Sequence, residues 1–100
     1  MWYKKAQDVP DEDPYGAYHA TNPEYLESIR INGLPKGSFF AGLEEDTSAY
    51  ADGLWLRFRR EDTGYEGVTA RGEYYKTTVK IPPQNIEFKI RILDDYQPLI

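Results

Sequence analysis

Short runs of alternating apolar and polar residues recur along the chain, separated by charged, proline-rich or glycine-containing stretches. Leu54, Leu56 and Phe58 alternate with Trp55, Arg57 and Arg59, the period of two that lays one face of a strand on a core. Ile86, Phe88, Ile90 and Ile92 alternate in the same way with Glu87, Lys89 and Arg91, predicting a last strand before Asp94-Asp95 turns the chain. Tyr74 to Ile81 is rich in Tyr, Thr and Val, which suit a pleated, half-buried surface, and the tandem Pro82-Pro83 ends it. The aromatic run Tyr15 to Ala20 and the short Ser38 to Ala41 predict two more strands. Thr21-Asn22-Pro23-Glu24 has the signature of a helix start, with Thr21 or Asn22 as cap and Pro23 in the first turn. Tyr25, Leu26, Ile29 and Ile31 follow at roughly helical spacing, and Asn32-Gly33 stops them. Glu44 to Ala51 predicts a second short helix, ended by Asp52-Gly53. Met1 to Lys5 predicts an edge strand, Asp8 to Pro14 an acidic solvated loop, and Arg60 to Arg71 a polar loop. The sum is an α+β fold with mixed or antiparallel strands and two short helices.

Composition narrows the function classes. A chain of 100 residues reads as one domain, residues 1–100, with a single modest core. Aromatics make up 15%, nine of them Tyr, which argues for an ordered fold. Without cysteine there is no disulfide, thiolate nucleophile or cysteine metal site, and one histidine makes a histidine-based cluster implausible, so metal-free chemistry is expected. No apolar stretch approaches the ~20 residues that span a bilayer, and no signal-like apolar segment opens the chain, so the sequence reads as cytoplasmic without membrane attachment. A net charge of −5 disfavours a general phosphate-tracking surface, leaving Arg57, Arg59, Arg60 and Arg71 as candidates for a local basic patch. Trp55, Arg57 and Arg59 share one strand face, which reads either as an aromatic and basic binding surface or as the outer side of a sheet.

Three segments carry candidate chemistry: Tyr18-His19-Ala20-Thr21, then Ser38-Phe39-Phe40-Ala41 leading to Thr47-Ser48-Ala49-Tyr50, then Gly72-Glu73-Tyr74-Tyr75. In order and residue type they resemble the His-Tyr-Glu branch of the ADP-ribosyltransferase family, which includes poly(ADP-ribose) polymerases and diphtheria-type toxins. The match runs from about Tyr18 to Tyr75, with looser similarity through Ile81 to Glu87. The resemblance implies a compact, split β-sheet and NAD as substrate. It gives His19 to the adenosine-side ribose, Ala20 and Thr21 to the first motif, Phe39 and Tyr50 to the two faces of nicotinamide, and the Thr47 hydroxyl to its carboxamide. Glu73, with His19, makes up the catalytic set: a carboxylate near the ribose stabilises the oxocarbenium-like charge and orients or deprotonates the attacking group. Tyr65, Glu66 and Arg71 become candidates for acceptor recognition.

Two positions depart from the family. Ala20 stands where it has glycine, and Phe39 stands where it has tyrosine, keeping the flat ring and losing the hydroxyl. Each motif also has a purely structural reading: Glu73 as a surface residue beside a turn, with Glu66 a competing carboxylate; His19 as a satisfied strand residue; Phe39, Phe40 and Tyr50 as core; the Arg60 to Arg71 loop as a solvated connection. The expected function is NAD-dependent mono-ADP-ribosyl transfer to an unidentified protein or nucleic-acid acceptor. The alternative is a non-catalytic module that binds NAD or ADP-ribose, such as a phage or microbial inhibitor of a host factor. A third reading is an RNA 2′-phosphotransferase-like enzyme, whose full set of phosphate-gripping basic residues is not identifiable. The sequence leaves acceptor and oligomeric state open.

Overall fold

The computed structural model describes residues 13–50, 53–67, 74–91 and 93–100, excluding the side chains of residues 48–50. The predicted strand at Met1 to Lys5 and most of the acidic loop lie outside it. Among the described residues seven strands form one antiparallel sheet: β1 (Gly16–Thr21), β2 (Phe39–Ala41), β3 (Leu54–Arg59), β4 (Glu66–Gly67), β5 (Tyr74–Lys76), β6 (Glu87–Lys89) and β7 (Gln97–Pro98). Their order is β4-β5-β2-β1-β3-β6-β7. Among the described residues the fold is thus α+β and antiparallel, with one α-helix, α1 (Leu26–Asn32).

The register sorts the residues by face. Ala17 opposes Phe58 and His19 opposes Leu56, while Leu56 opposes Phe88 on the other side. These residues therefore share the face that carries the core of Ala17, Leu54, Leu56, Phe58, Phe88 and, from α1 and the loops, Ile29, Leu34, Ile81, Ile86 and Leu99. Two helical expectations resolve differently. Asn22 caps the first helix, its side chain accepting from the Glu24 N–H, but the opening turn Pro23–Tyr25 is 3-10 and α1 proper starts at Leu26. The second expected helix is 3-10 over Glu44–Tyr50 rather than α. There the Thr47 hydroxyl donates to the Glu44 carbonyl at 2.6 Å, a local bond that competes with the α-helical pattern.

Gly33 ends α1 at φ 80°, ψ −174°, a backbone region essentially reserved for glycine, and its N–H donates to the Ile29 carbonyl. A side chain there would also meet the Ile81 carbonyl, which comes within 2.3 Å of an ideal Cβ position. That approach allows Leu34 and Ile81 to exchange two backbone hydrogen bonds of 2.9 Å. The long strand expected over Tyr74 to Ile81 is accordingly three residues of β5 and an isolated bridge at Ile81. The last predicted strand is short as well: β6 stops at Lys89, and Ile90, expected on the buried face, is 49% exposed. Ile92 lies outside the described residues.

The join between β1 and β2 consists of one ladder position, Tyr18 opposite Ala41. On one side of it Arg60 spans the two strands' neighbourhoods. Its Nε donates to the Gly16 carbonyl at 3.0 Å, and its guanidinium lies over the rings of Tyr65 and Tyr75, 5.4 and 4.8 Å from their centroids. On the other side the strands part, and His19 Nδ1–H donates across the opening to the Phe39 carbonyl at 2.5 Å.

Candidate functional site

The opening beyond Tyr18 and Ala41 holds a cavity of about 200 Å³. His19, Ala20, Thr21, Phe39 and Thr47 all line it, as do Tyr18, Phe40, Ala41, Asp46 and Tyr74. Residues from both sheet faces contribute, because the cavity lies in the gap between two strands rather than on either face. Phe39 is 56% exposed and Phe40 2%, so Phe39 sits at the rim while its neighbour belongs to the core. Tyr74, 39% exposed, is two register positions from Phe39 on the same face, and its hydroxyl donates to the Asp46 carbonyl at 3.2 Å.

His19 also lines a second cavity of about 370 Å³ beside α1, with Thr21, Ile29, Leu34, Asn32 and Lys80 among its other walls. The two cavities share His19 and Thr21 as walls. Because Nδ1 donates to a carbonyl, the neutral ring has its acceptor at Nε2. Burial lowers the imidazole pKa, with the Phe39 hydrogen bond opposing the shift, so the ring is neutral at pH 7. The Thr47 hydroxyl has committed its proton to Glu44 and keeps lone pairs free to accept.

A charged cluster on the sheet face opposite the core fixes the cavity's 3-10 wall. Glu44 takes the Lys89 ammonium at 3.0 Å on one oxygen and the Tyr96 hydroxyl at 2.8 Å on the other. Lys89 is buried and lies 4.8 Å from the Tyr96 ring centroid. Arg57 lies between the rings of Tyr15 and Tyr96, 4.0 and 4.4 Å from their centroids, and binds Glu87 at 2.6 Å. Burial alone would lower the Arg57 pKa, but the Glu87 carboxylate holds it above the usual value. Burial, and then hydrogen bonds to Asp13 and Glu44 respectively, keep Tyr18 and Tyr96 protonated far above the ordinary tyrosine range.

These contacts bear on two readings that the sequence left open. The face of Trp55, Arg57 and Arg59 is not an open binding surface: Trp55 is 1% exposed, and the aromatic and acidic side chains just described cover Arg57. Among the described arginines of the candidate basic patch, Arg57 pairs with Glu87, Arg59 pairs with Glu61 and Arg60 lies on two rings. Among the acceptor candidates, Tyr65 packs edge-on to Phe40 and Tyr75, with centroids 6.3 and 5.2 Å apart. Glu66 is on β4, 4.0 Å from Lys76, and neither Tyr65 nor Glu66 lines the two cavities. Part of the expected Arg60 to Arg71 loop is therefore structured, as a 3-10 turn and β4. Arg71 and Glu73 lie outside the described residues, as does the side chain of Tyr50.

Tyr74 and Asp46 went unassigned in the sequence although both line the smaller cavity. Tyr74 stood inside the third motif without a role, and Asp46 had no signal beyond an acidic helix start. Lys80, in the larger cavity, had none. Among the described residues no group of three or more histidine, aspartate or glutamate side chains is disposed to hold a metal ion. No helix among them is long and apolar enough to cross a membrane. No protein-family model matches the chain, and neither a curated protein nor a solved structure shows significant similarity to it.

Proposed function

We propose that the chain is a compact NAD-dependent mono-ADP-ribosyltransferase with the split sheet of that family. The observation that supports this reading is that His19, where β1 and β2 part, lines two neighbouring cavities. A dinucleotide has two such halves with hydroxyl-bearing riboses between them. Nicotinamide fits the smaller, aromatic cavity, with Phe39 against its ring and Thr47 accepting from the carboxamide NH₂. β1 has no ladder partner on the β2 side beyond Tyr18, which leaves the peptide edge around Ala20 to meet the rest of the carboxamide. His19 Nε2 accepts from a ribose hydroxyl and positions the substrate.

The glycosidic bond between the nicotinamide nitrogen and ribose C1′ then breaks, and its electron pair leaves with nicotinamide, neutralising the ring. A lone pair from the acceptor forms the new bond at C1′, and the acceptor's proton passes to Glu73, one residue before Tyr74 in sequence, or to water. Glu73 also stabilises the positive ribose in the transition state. The test is nicotinamide release and transfer of labelled ADP-ribose from NAD, with a cell lysate as acceptor source, by wild type and Glu73→Gln. Turnover lost in the variant with NAD affinity retained is the expected result. Binding without turnover in both proteins would instead identify a nucleotide-binding module, the reading that Ala20 and Phe39 favour.

A further inference from the structure

The larger cavity has a charge asymmetry that the motifs do not account for. None of its lining residues is a carboxylate, although the chain carries 17 Asp and Glu against 12 Lys and Arg. Its one lysine or arginine is Lys80. Most other cations of the described residues are engaged: Arg30 with Glu27, Arg57 with Glu87, Arg59 with Glu61, Lys76 with Glu66, Lys89 with Glu44, and Arg60 on two tyrosine rings. Lys80 pairs with no carboxylate among the described residues. Lys36 and Arg91 share that property but line neither cavity. The backbone carrying Lys80 is held: its neighbour Ile81 makes two hydrogen bonds to Leu34, and Leu34 and Pro35 line the same cavity. The chain thus fixes the base of a long cationic side chain beside the cavity and leaves the ammonium unneutralised, with donors to spare.

We infer that Lys80 is a specificity-determining residue that binds a phosphate group of the nucleotide in the larger cavity, and so selects phosphorylated over unphosphorylated adenosine ligands. This rests on the nucleotide reading above. An ammonium on a flexible stem suits a phosphate as a point charge, and an acidic protein needs such a group to admit a polyanionic ligand.

The test measures affinities of ADP-ribose, AMP, adenosine and nicotinamide for wild type, Lys80→Ala and Lys80→Arg by calorimetry and competition at two salt concentrations. Lys80→Ala should weaken ADP-ribose and AMP by about tenfold, the low end of what a hydrogen bond to a charged group contributes, and leave adenosine and nicotinamide unchanged. Lys80→Arg should retain most of the affinity, and added salt should weaken ADP-ribose binding more in wild type than in Lys80→Ala. Unchanged ADP-ribose binding by Lys80→Ala, or an equal loss for adenosine, overturns the assignment while leaving the nucleotide site standing. If wild type binds none of the four ligands, the nucleotide reading falls and the role of Lys80 with it.

Discussion

His19 joins a hydrogen-bond donor already in use to an acceptor still available, and its protonation state decides whether that acceptor exists. Its pKa is lowered by burial, so as pH falls below the ordinary value of 6.5 the unfolded chain takes up a proton before the folded one does. The stability conferred by a neutral His19 is therefore complete above pH 6.5 and is lost as pH falls through the lowered folded value. Denaturant unfolding between pH 8 and pH 5 should show this decline, and His19→Asn should flatten it. Binding of ADP-ribose should hold steady from pH 8 to 7 and weaken once Nε2 is protonated. Phe39 and Phe40 separate binding from folding. Phe39→Ala removes a half-exposed rim ring and should change stability by no more than about 0.5 kcal/mol while weakening nicotinamide binding severalfold. Phe40→Ala empties a core position and should cost about 3–5 kcal/mol in thermal or denaturant unfolding.

Two connections decide the shape of the site at the level of elements. Gly33→Ala forces a side chain into a backbone region it disfavours and onto the Ile81 carbonyl. It should destabilise by at least about 1–3 kcal/mol and disturb the larger cavity through the Leu34 to Ile81 bridge. Glu44→Gln takes a charge away from buried Lys89 and should cost about 1–3 kcal/mol. It should also loosen the 3-10 wall that brings Asp46 and Thr47 to the smaller cavity, which under the proposed transferase function reads as a rise in KM for NAD larger than the change in kcat.

Much of this was legible in the sequence. The period of two in Leu54 to Arg59, the cap at Asn22 and the stop at Gly33 are local signals, and local backbone physics fixed each of them. The first and second motifs held most of the residues of the smaller cavity because most of them lie on two neighbouring strands, β1 and β2, while Asp46 and Tyr74 come from other elements. What was not legible depends on distant partners. Lys89 reads as the solvent side of a strand, yet it is buried because Glu44 and Tyr96, 45 and 7 positions away, come together over it. The two residues of β7 carry no period at all, and Lys80 faces a cavity only because Ile81 bridges back to Leu34. The Glu44 segment is 3-10 rather than α, and within it a threonine hydroxyl bonds a carbonyl, a contact that helical spacing does not register.

For the whole molecule, the last residues are structural. Leu99 is buried in the core, Gln97 and Pro98 pair with β6, the Leu99 carbonyl accepts from Arg30, and Tyr96 covers Arg57 and Glu44. Removing residues 96–100 should lower the melting temperature by more than about 10 °C or abolish cooperative unfolding, as followed by circular dichroism.

The parting of β1 from β2 divides the sheet into β4-β5-β2 and β1-β3-β6-β7, but it does not divide the chain into two pieces. In passing from β1 to β2, β2 to β3, β3 to β4 and β5 to β6, the polypeptide crosses the divide four times. Neither half is a contiguous segment, so neither can be cut out as one piece of chain. The halves are laced together like the two edges of a boot, and the smaller cavity is the space under the laces. Three of the four crossings, all but the one from β3 to β4, lend residues to the walls of the two cavities.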